Sequence, residues 1–514
     1  MPVNYESVLS QVFGLPSFRL GQREIIDSVL QKRDTISVLP TGGGKSLCYQ
    51  FPAAYLQELV IVISPLIALM RDQVEALKKR NIPAGCLHSD QTHEEKLGVF
   101  RALASGGAFV LYLSPERASK EAFHKWVQGR KIALFAIDEA HCVSQWGHDF
   151  REEYGQLQIL KKLRPDVPVL ALTASATPLV LDDIARHLGL QKPSRHVHGF
   201  YRPNLYYQVD TCLDDNEKFS YLLQALAQNQ AGKVIIYCGT RKTTEEVARF
   251  LTQHHRGVGY YHAGMSSEQR SAVQDSYGQS KIRILAATNA FGMGVDHPDV
   301  RLVVHYQMPA NIDALYQEMG RAGRDGESST CLMLYSKSDK GLQSYFIRTS
   351  DAPPAIKSSR WRTLEAIVGY AEGGECRHSE ILTYYQDSNR IENCGHCDTC
   401  APASPRKIAA PEIEVTAPTL VKKKGKKQLK PKLRATGEVM DGLEKIRFEA
   451  LREWRKKKAK ELDIAAFMVF SDKTLRQIAN ENPRSLEELL QVHGIGDTKL
   501  EAFGKDVLVE LQGV

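Results

Sequence analysis

Along the first 345 residues, apolar positions fall into two alternating kinds of run. Short unbroken blocks, residues 35–39, 59–63, 109–113, 132–137 and 167–172, have the length and the Val/Ile/Leu content of strands buried on both faces. Between them, apolar residues recur three and four apart, as in residues 18–30 and 68–79, which predicts helices. Strand and helix in alternation predict a parallel sheet covered by helices, with active-site loops at the carboxyl ends of the strands. A second set begins near residue 208, with strand-like blocks at 234–238, 258–261, 282–286, 300–305 and 331–335. The pattern therefore predicts an α/β chain with two parallel-sheet domains, residues 1–207 and 208–345. A small helical, cysteine-bearing module follows over 346–401, and a C-terminal domain over 438–514 returns to helical spacing in three or four segments.

The first strand block runs into Leu39-Pro40-Thr41-Gly42-Gly43-Gly44-Lys45-Ser46, and a helix pattern follows. Strand, glycine loop and helix form the context of a phosphate-holding loop. Glycines let backbone N–H groups turn toward oxyanions, Lys45 can reach the β/γ-phosphates, and the Ser46 hydroxyl can ligate Mg²⁺. Leu39 stands where the full pattern has glycine, so this is a variant loop. A glutamine on the helix just upstream, Gln22, can offer its carboxamide to adenine.

Asp138-Glu139-Ala140-His141 lies directly after the 132–137 strand block. Asp138 can hold Mg²⁺ opposite Ser46, and Glu139 is placed to deprotonate the water that attacks the γ-phosphate. Residues 142–151 then form a polar loop in which Gln145, Trp146, His148, Phe150 and Arg151 combine ring surfaces with polar and basic groups. Rings beside cations suit stacking on unpaired bases, although buried Trp146 and Phe150 are the plainer alternative. The hydroxyls of residues 173–177 could link the two sites. In the second domain, residues 291–296 make a glycine-bearing turn ending in Asp296. Arg321 and Arg324, three apart and on one face if helical, could reach a γ-phosphate from across a cleft, making hydrolysis depend on domain closure.

Ten cysteines among 514 residues read as thiols or metal ligands, because the chain lacks a leader pattern and a long apolar run and so belongs in a reducing cytoplasm. Cys376, Cys394, Cys397 and Cys400 suit tetrahedral Zn²⁺, with a [4Fe–4S] cluster as the other thiol-bound group; His396 is read as a spacer. The net charge is only +7, but residues 401–460 carry 18 Lys and Arg against 7 Asp and Glu. Residues 402–437, with five prolines and a lysine run, read as a basic disordered linker suited to phosphate contacts.

Together these motifs resemble the RecQ family of DNA helicases, over roughly residues 10–400 and again at the C-terminal end. The resemblance implies two RecA-like domains with ATP between them, a zinc module at the four cysteines and a C-terminal HRDC domain; a purely structural helical cap is the alternative for the last. It assigns Arg19 and Gln22 to the adenine motif, Lys45 and Ser46 to the phosphate motif, and Ser64-Pro65-Leu66 to a DNA contact. Asp138, Glu139 and His141 form the hydrolysis motif, and Arg321 and Arg324 the arginine fingers. It implies ATP, Mg²⁺ and Zn²⁺ as cofactors and 3′-to-5′ movement in recombination and repair. The implied partners are single-stranded and 3′-tailed duplex DNA, with a single-stranded-DNA-binding protein and other repair proteins as candidates, and a nucleoid location if the source is bacterial. Two departures stand out: Leu15 where an aromatic often follows Phe13-Gly14, which weakens base stacking, and no room for the family's winged-helix domain. The rival readings are an RNA helicase and a DNA-binding or strand-annealing protein whose conformation ATP regulates.

Overall fold

The computed structural model describes residues 4–40, 42–88, 91–144, 151–292, 297–411 and 442–513. In the first lobe the strands are β1 (Thr35–Val38), β2 (Leu59–Ile63), β3 (Ala84–Leu87), β4 (Phe109–Leu113), β5 (Ile132–Ile137), β6 (Val169–Thr173) and β7 (Ser194–Val197). They form one parallel sheet in the order β3-β4-β2-β5-β6-β1-β7. Apart from Ala133, β1 to β6 are buried throughout, as a parallel strand covered on both faces must be. The second lobe contains β8 (Leu205–Thr211), β9 (Lys233–Tyr237), β10 (Val258–Tyr261), β11 (Ile284–Ala287), β12 (Val300–His305) and β13 (Ser329–Tyr335). Its parallel sheet runs β10-β11-β9-β12-β13-β8.

Ladder bonding continues one residue past several strands of the first lobe. Leu39 N–H donates to Thr173 O (3.1 Å), Ser64 N–H to Leu113 O (3.0 Å) and Asp138 N–H to Ile63 O (2.9 Å). The phosphate loop and the Asp138 segment thus leave the sheet on either side of β6, at heights fixed by its register.

Helices Pro354–Glu372 and Arg377–Tyr384 carry the cysteine module onto β8, the edge of the second sheet. Tyr207 bridges Cys397 in parallel, Asp398 N–H donates to Tyr207 O (2.9 Å), and Val209 N–H donates to the Asp398 carboxylate (2.9 Å). Residues 402–411, expected to begin the disordered linker, instead continue this edge cover. Gln208 and Ile408 exchange two hydrogen bonds (2.9 and 2.8 Å), and Arg406 donates to Ser329 O (2.7 Å). The Gln208 side chain and the Ser329 carbonyl, about 200 and 77 positions away in the chain, hold this segment, and composition alone does not reveal such partners.

The described residues of the C-terminal domain form five helices, Gly442–Leu462, Ala466–Val469, Asp472–Glu481, Leu486–Gln491 and Asp497–Gln512, rather than three or four segments. Two of them are too short for a periodicity window to register. The domain is seated on the cysteine module. Arg455, 0% exposed, pairs with Glu375 (2.8 Å) and Asp472 (2.7 Å), Lys473 pairs with Glu372 (2.5 Å), and Phe467 N–H donates to Glu380 (3.2 Å). Among the described residues, no helix is long and apolar enough to cross a membrane.

Candidate active site

After β1 the chain bends at Gly42 (φ 82°) and Gly44 (φ 78°), and Gly43 N–H closes a turn onto Pro40 O (2.9 Å). Ser46 then caps helix Leu47–Leu56, whose N-terminal amides supply the positive end of a dipole. Gln22 does not point free. It is 2% exposed, its Nε2 donates to Gly44 O (3.0 Å) and Gly43 O (3.3 Å), and its Oε1 accepts from Arg19 N–H (2.8 Å). The Arg19 guanidinium donates to Gly42 O. The adenine-motif pair is therefore drawn onto the phosphate loop, holding its carbonyls outward from the cradle. Thr41 lies outside the described residues.

Asp138 is buried at the end of β5. Burial, then the neighbouring Glu139, pushes its carboxyl up to about 7, while Lys45 pulls the other way. Lys45 thus faces Asp138 across the loop. Glu139 has left-handed backbone (φ 49°, ψ 45°), a conformation a non-glycine residue holds only when its surroundings impose it. It opens a 3-10 turn, Ala140–Val143, that returns buried His141 to the carboxylate, with Nδ1 3.3 Å from Glu139 Oε2 and 2.9 Å from Thr173 Oγ1. Thr173 Oγ1 donates to Ser175 O (3.0 Å), and Ser175 Oγ accepts from Gln317 Nε2 (3.3 Å) of the second lobe. The hydroxyls of residues 173–177 do join two regions, and the second region is the opposite lobe.

Arg321 and Arg324 follow helix Ile312–Met319 on a turn, not a helical face. Gly323 has φ 54°, and a methyl there would lie 2.7 Å from Glu327 O and 2.9 Å from Ser329 Oγ, so only glycine fits. The two arginines part company. A methyl built on Gly42 would lie 3.9 Å from Arg324 Cγ, placing Arg324 beside the phosphate loop. Arg321 instead lies against Gly292 and the buried Tyr237, whose hydroxyl donates to Phe291 O (3.0 Å). Arg202 and Asn204 anchor the turn by donating to Ala322 O and Gly323 O at 2.9 to 3.0 Å. Sequence reasoning missed both, since nothing local ties residues 202–204 to a turn about 120 positions on.

Of the residues assigned to DNA contact, Ser64 is 2% exposed at the end of β2. Arg151 is half-buried, its N–H bonded to Cys142 O (3.0 Å). Gln145, Trp146, His148, Phe150 and Asp296 lie outside the described residues. The preceding residue, Ser144, is buried and donates to Asp183 (2.7 Å), an anchor at the root of the aromatic loop that the sequence reading did not single out.

The sulfurs of Cys376, Cys394, Cys397 and Cys400 all lie within 4.8 Å of one another. Four thiolates around one tetrahedral ion need this packing, whereas a four-iron cube would hold them farther apart. N–H groups of Ser379, Cys394, His396 and Cys400 donate to these sulfurs at 3.3 to 3.5 Å, which favours the thiolate form. The donor set fits Zn²⁺. His378 and His396 form a second possible group with Cys394, but both His396 ring nitrogens are engaged, with Tyr201 Oη (3.0 Å) and Leu205 O (3.1 Å).

Residues 19–184 match the DEAD/DEAH box helicase family and residues 217–326 the helicase conserved C-terminal domain; residues 337–401 match the RecQ zinc-binding domain and 444–511 the HRDC domain. Among solved structures, yeast Dbp5 bound to RNA and ADP BeF3 aligns over 70% of this chain and 97% of its own (TM-score 0.51, 17% identity). The helicase MrfA bound to DNA and AMPPNP aligns over 70% and 56% (TM-score 0.52, 18% identity). At those identities the likeness concerns the fold alone. Two RecA-like lobes, with a phosphate loop on one and an arginine turn on the other, define a helicase-class motor ATPase. The ATP-dependent DNA helicases RecQ of Haemophilus influenzae (34% identity, 98% of this chain, 95% of the relative) and Bacillus subtilis (32%, 99% and 98%) align nearly end to end. The chain belongs to the RecQ family of ATP-dependent DNA helicases. The first of these alignments runs over 597 positions against 514 residues here, so that relative holds tens of residues with no counterpart in this chain.

Proposed function

We propose that this chain hydrolyses ATP at the lobe interface and couples each cycle to 3′-to-5′ movement on single-stranded DNA, separating 3′-tailed duplexes in recombination and repair. The observation that carries the proposal is the series of polar contacts from Glu139, 3.3 Å from His141 Nδ1, through the hydrogen bonds of His141, Thr173 and Ser175 to Gln317. It joins the hydrolytic carboxylate to the opposite lobe, so lobe geometry and the orientation of Glu139 change together.

Lys45 binds the β/γ-phosphates, Glu139 orients and deprotonates the attacking water, and Arg324 reaches the γ-phosphate from the second lobe. Arg321 holds the turn and Tyr237 in register, assisting from behind. Ser46 and Asp138 would hold Mg²⁺, Asp138 being a buried carboxylate at the end of β5 beside Glu139. That ion, when bound, neutralises charge on the β/γ-phosphate oxygens. Trp146, Phe150 and Arg151 serve as the DNA sensor.

The deciding experiment compares unwinding of 3′-tailed and 5′-tailed duplexes, with ATPase rates measured with DNA, with RNA and with neither. The proposal requires DNA-triggered turnover and unwinding confined to the 3′ tail. Stimulation by RNA alone, or unwinding from the 5′ tail, would overturn it.

A further inference from the structure

Helix Lys337–Thr349 of the second lobe separates two hollows. The larger, about 820 Å³, lies at the carboxyl ends of β9 and β12 and takes Phe346 and Ile347 from one face of the helix. The smaller, about 390 Å³, lies between the helix and the C-terminal domain, which contributes Lys473 and His493. The stripe facing this second hollow is spaced as one helical face: Lys337, Lys340, Gly341, Ser344, Tyr345 and Arg348. This face is open to the hollow, cationic and aromatic, and exposed Tyr345 sets a large ring among its charges.

The charges do not cancel within the hollow. Its one carboxylate, Glu372, is taken by Lys473 (2.5 Å) and by the Tyr335 hydroxyl (2.9 Å). Lys340 pairs with Glu365 (3.0 Å) outside the lining. Lys337 and Arg348 are exposed with no carboxylate left among the lining residues, and Arg348 lies over the Trp361 ring (5.8 Å). Tyr345 is 61% exposed and Phe346 41% exposed, their ring centroids 6.1 Å apart, one ring on each hollow. Two neighbouring exposed rings crossing from one cavity into a basic one form a stacking step beside phosphate-binding groups, the combination that holds unpaired nucleotides.

We infer that single-stranded DNA crosses Tyr345 and runs through the groove between helix Lys337–Thr349 and the C-terminal domain. The inference rests on the helicase reading and extends its DNA site. It gives the docked C-terminal domain a task, closing the far wall of a strand path in a chain lacking tens of residues that its relative carries.

The test uses the full chain and fluorescence anisotropy with oligo-dT of about 8 and about 20 nucleotides, lengths that occupy the lobes alone or extend into this groove as well. Tyr345→Ala and Lys337→Glu are expected to weaken the longer oligonucleotide about tenfold and leave the shorter one unchanged. Lys337→Glu should also lower the salt slope, and Lys337→Arg should restore both. Zinc content and thermal midpoint verify folding, and ATPase rate at saturating short oligonucleotide should match the parent. Equal losses for both lengths, parent-like binding of the longer one, or a loss confined to blunt duplex would each overturn the groove assignment. A parent protein with no DNA-stimulated ATPase would instead overturn the helicase reading, so the two failures are distinguishable.

Discussion

Gln317 Nε2 reaches across the cleft to donate to Ser175 Oγ at 3.3 Å, and the backbone carbonyl of Ser175 accepts from the Thr173 hydroxyl, which is itself bonded to His141. A single amide thus ties the helix before the arginine turn to the residues that hold Glu139. Gln317→Ala should lower the DNA-stimulated turnover about tenfold while changing the DNA-free rate and ATP KM less than twofold, the outcome expected for lost coupling. Steady-state ATPase with and without DNA checks it; equal losses in both would deny the contact a coupling role.

Gln22 is a clasp on the phosphate loop as well as a candidate adenine reader. Gln22→Glu would set a carboxylate oxygen against the Gly43 and Gly44 carbonyls, and ATP KM should rise about thirtyfold, the scale of leaving buried acceptors unpaired. Gly44→Ala should be at least as damaging, because φ is 78° and a methyl would collide with Gln22 Nε2. A base-modified nucleotide whose KM rises as much as that of ATP in Gln22→Glu would show that the clasp, not base reading, is the residue's main work.

The two arginines should fail differently. Arg324→Ala should cut turnover about a thousandfold with DNA affinity and thermal midpoint intact, the range of a lost arginine finger. Arg321→Ala, which removes the group beside Gly292 and Tyr237, should lower the thermal midpoint by several degrees together with activity. Paired thermal melts and single-turnover hydrolysis separate them.

Removing Zn²⁺ with a chelator, or Cys397→Ser, should unfold helix Arg377–Tyr384 and loosen the β8 edge as well, since Cys397 bridges Tyr207 and Asp398 binds Val209. Metal analysis should return about one zinc per chain. Increased proteolysis near residues 376–411 at unchanged ATP binding would mark the expected pattern.

Burial pushes the Glu380 carboxyl from 4.5 up to about 7, against the pull of the Phe467 N–H and Arg455. A value raised by folding means the neutral form is favoured in the folded chain. Its contribution is whole below the ordinary carboxylate range and is lost as pH rises through about 7. The contact between module and C-terminal domain should therefore melt lower at pH 8 than at pH 6, and Glu380→Gln, which still accepts from Phe467 N–H, should flatten that difference. Calorimetry at the two pH values reads the effect.

Local pattern was enough to find ten of the thirteen described strands, because a strand buried on both faces writes its own uninterrupted apolar block, whereas β3, β7 and β8 write none; it also found the phosphate loop, Asp138-Glu139 and the four cysteines, because their chemistry needs neighbours close in the chain. From those alone came two parallel α/β lobes, a thiol metal site and a helical end. Where distant segments meet was not written locally. Arg202 and Asn204 bracing Gly323, Ser144 on Asp183, and Arg455 buried between Glu375 and Asp472 each join positions tens to hundreds of residues apart. The same holds for one correction: residues 402–411 continue along β8 because the Gln208 side chain takes both backbone groups of Ile408. Spacing determined what each segment could be and what chemistry it could hold. Only packing decided which arginine reaches the phosphate loop and what the C-terminal domain leans on, because those depend on burial and hydrogen-bond partners that no window of sequence contains.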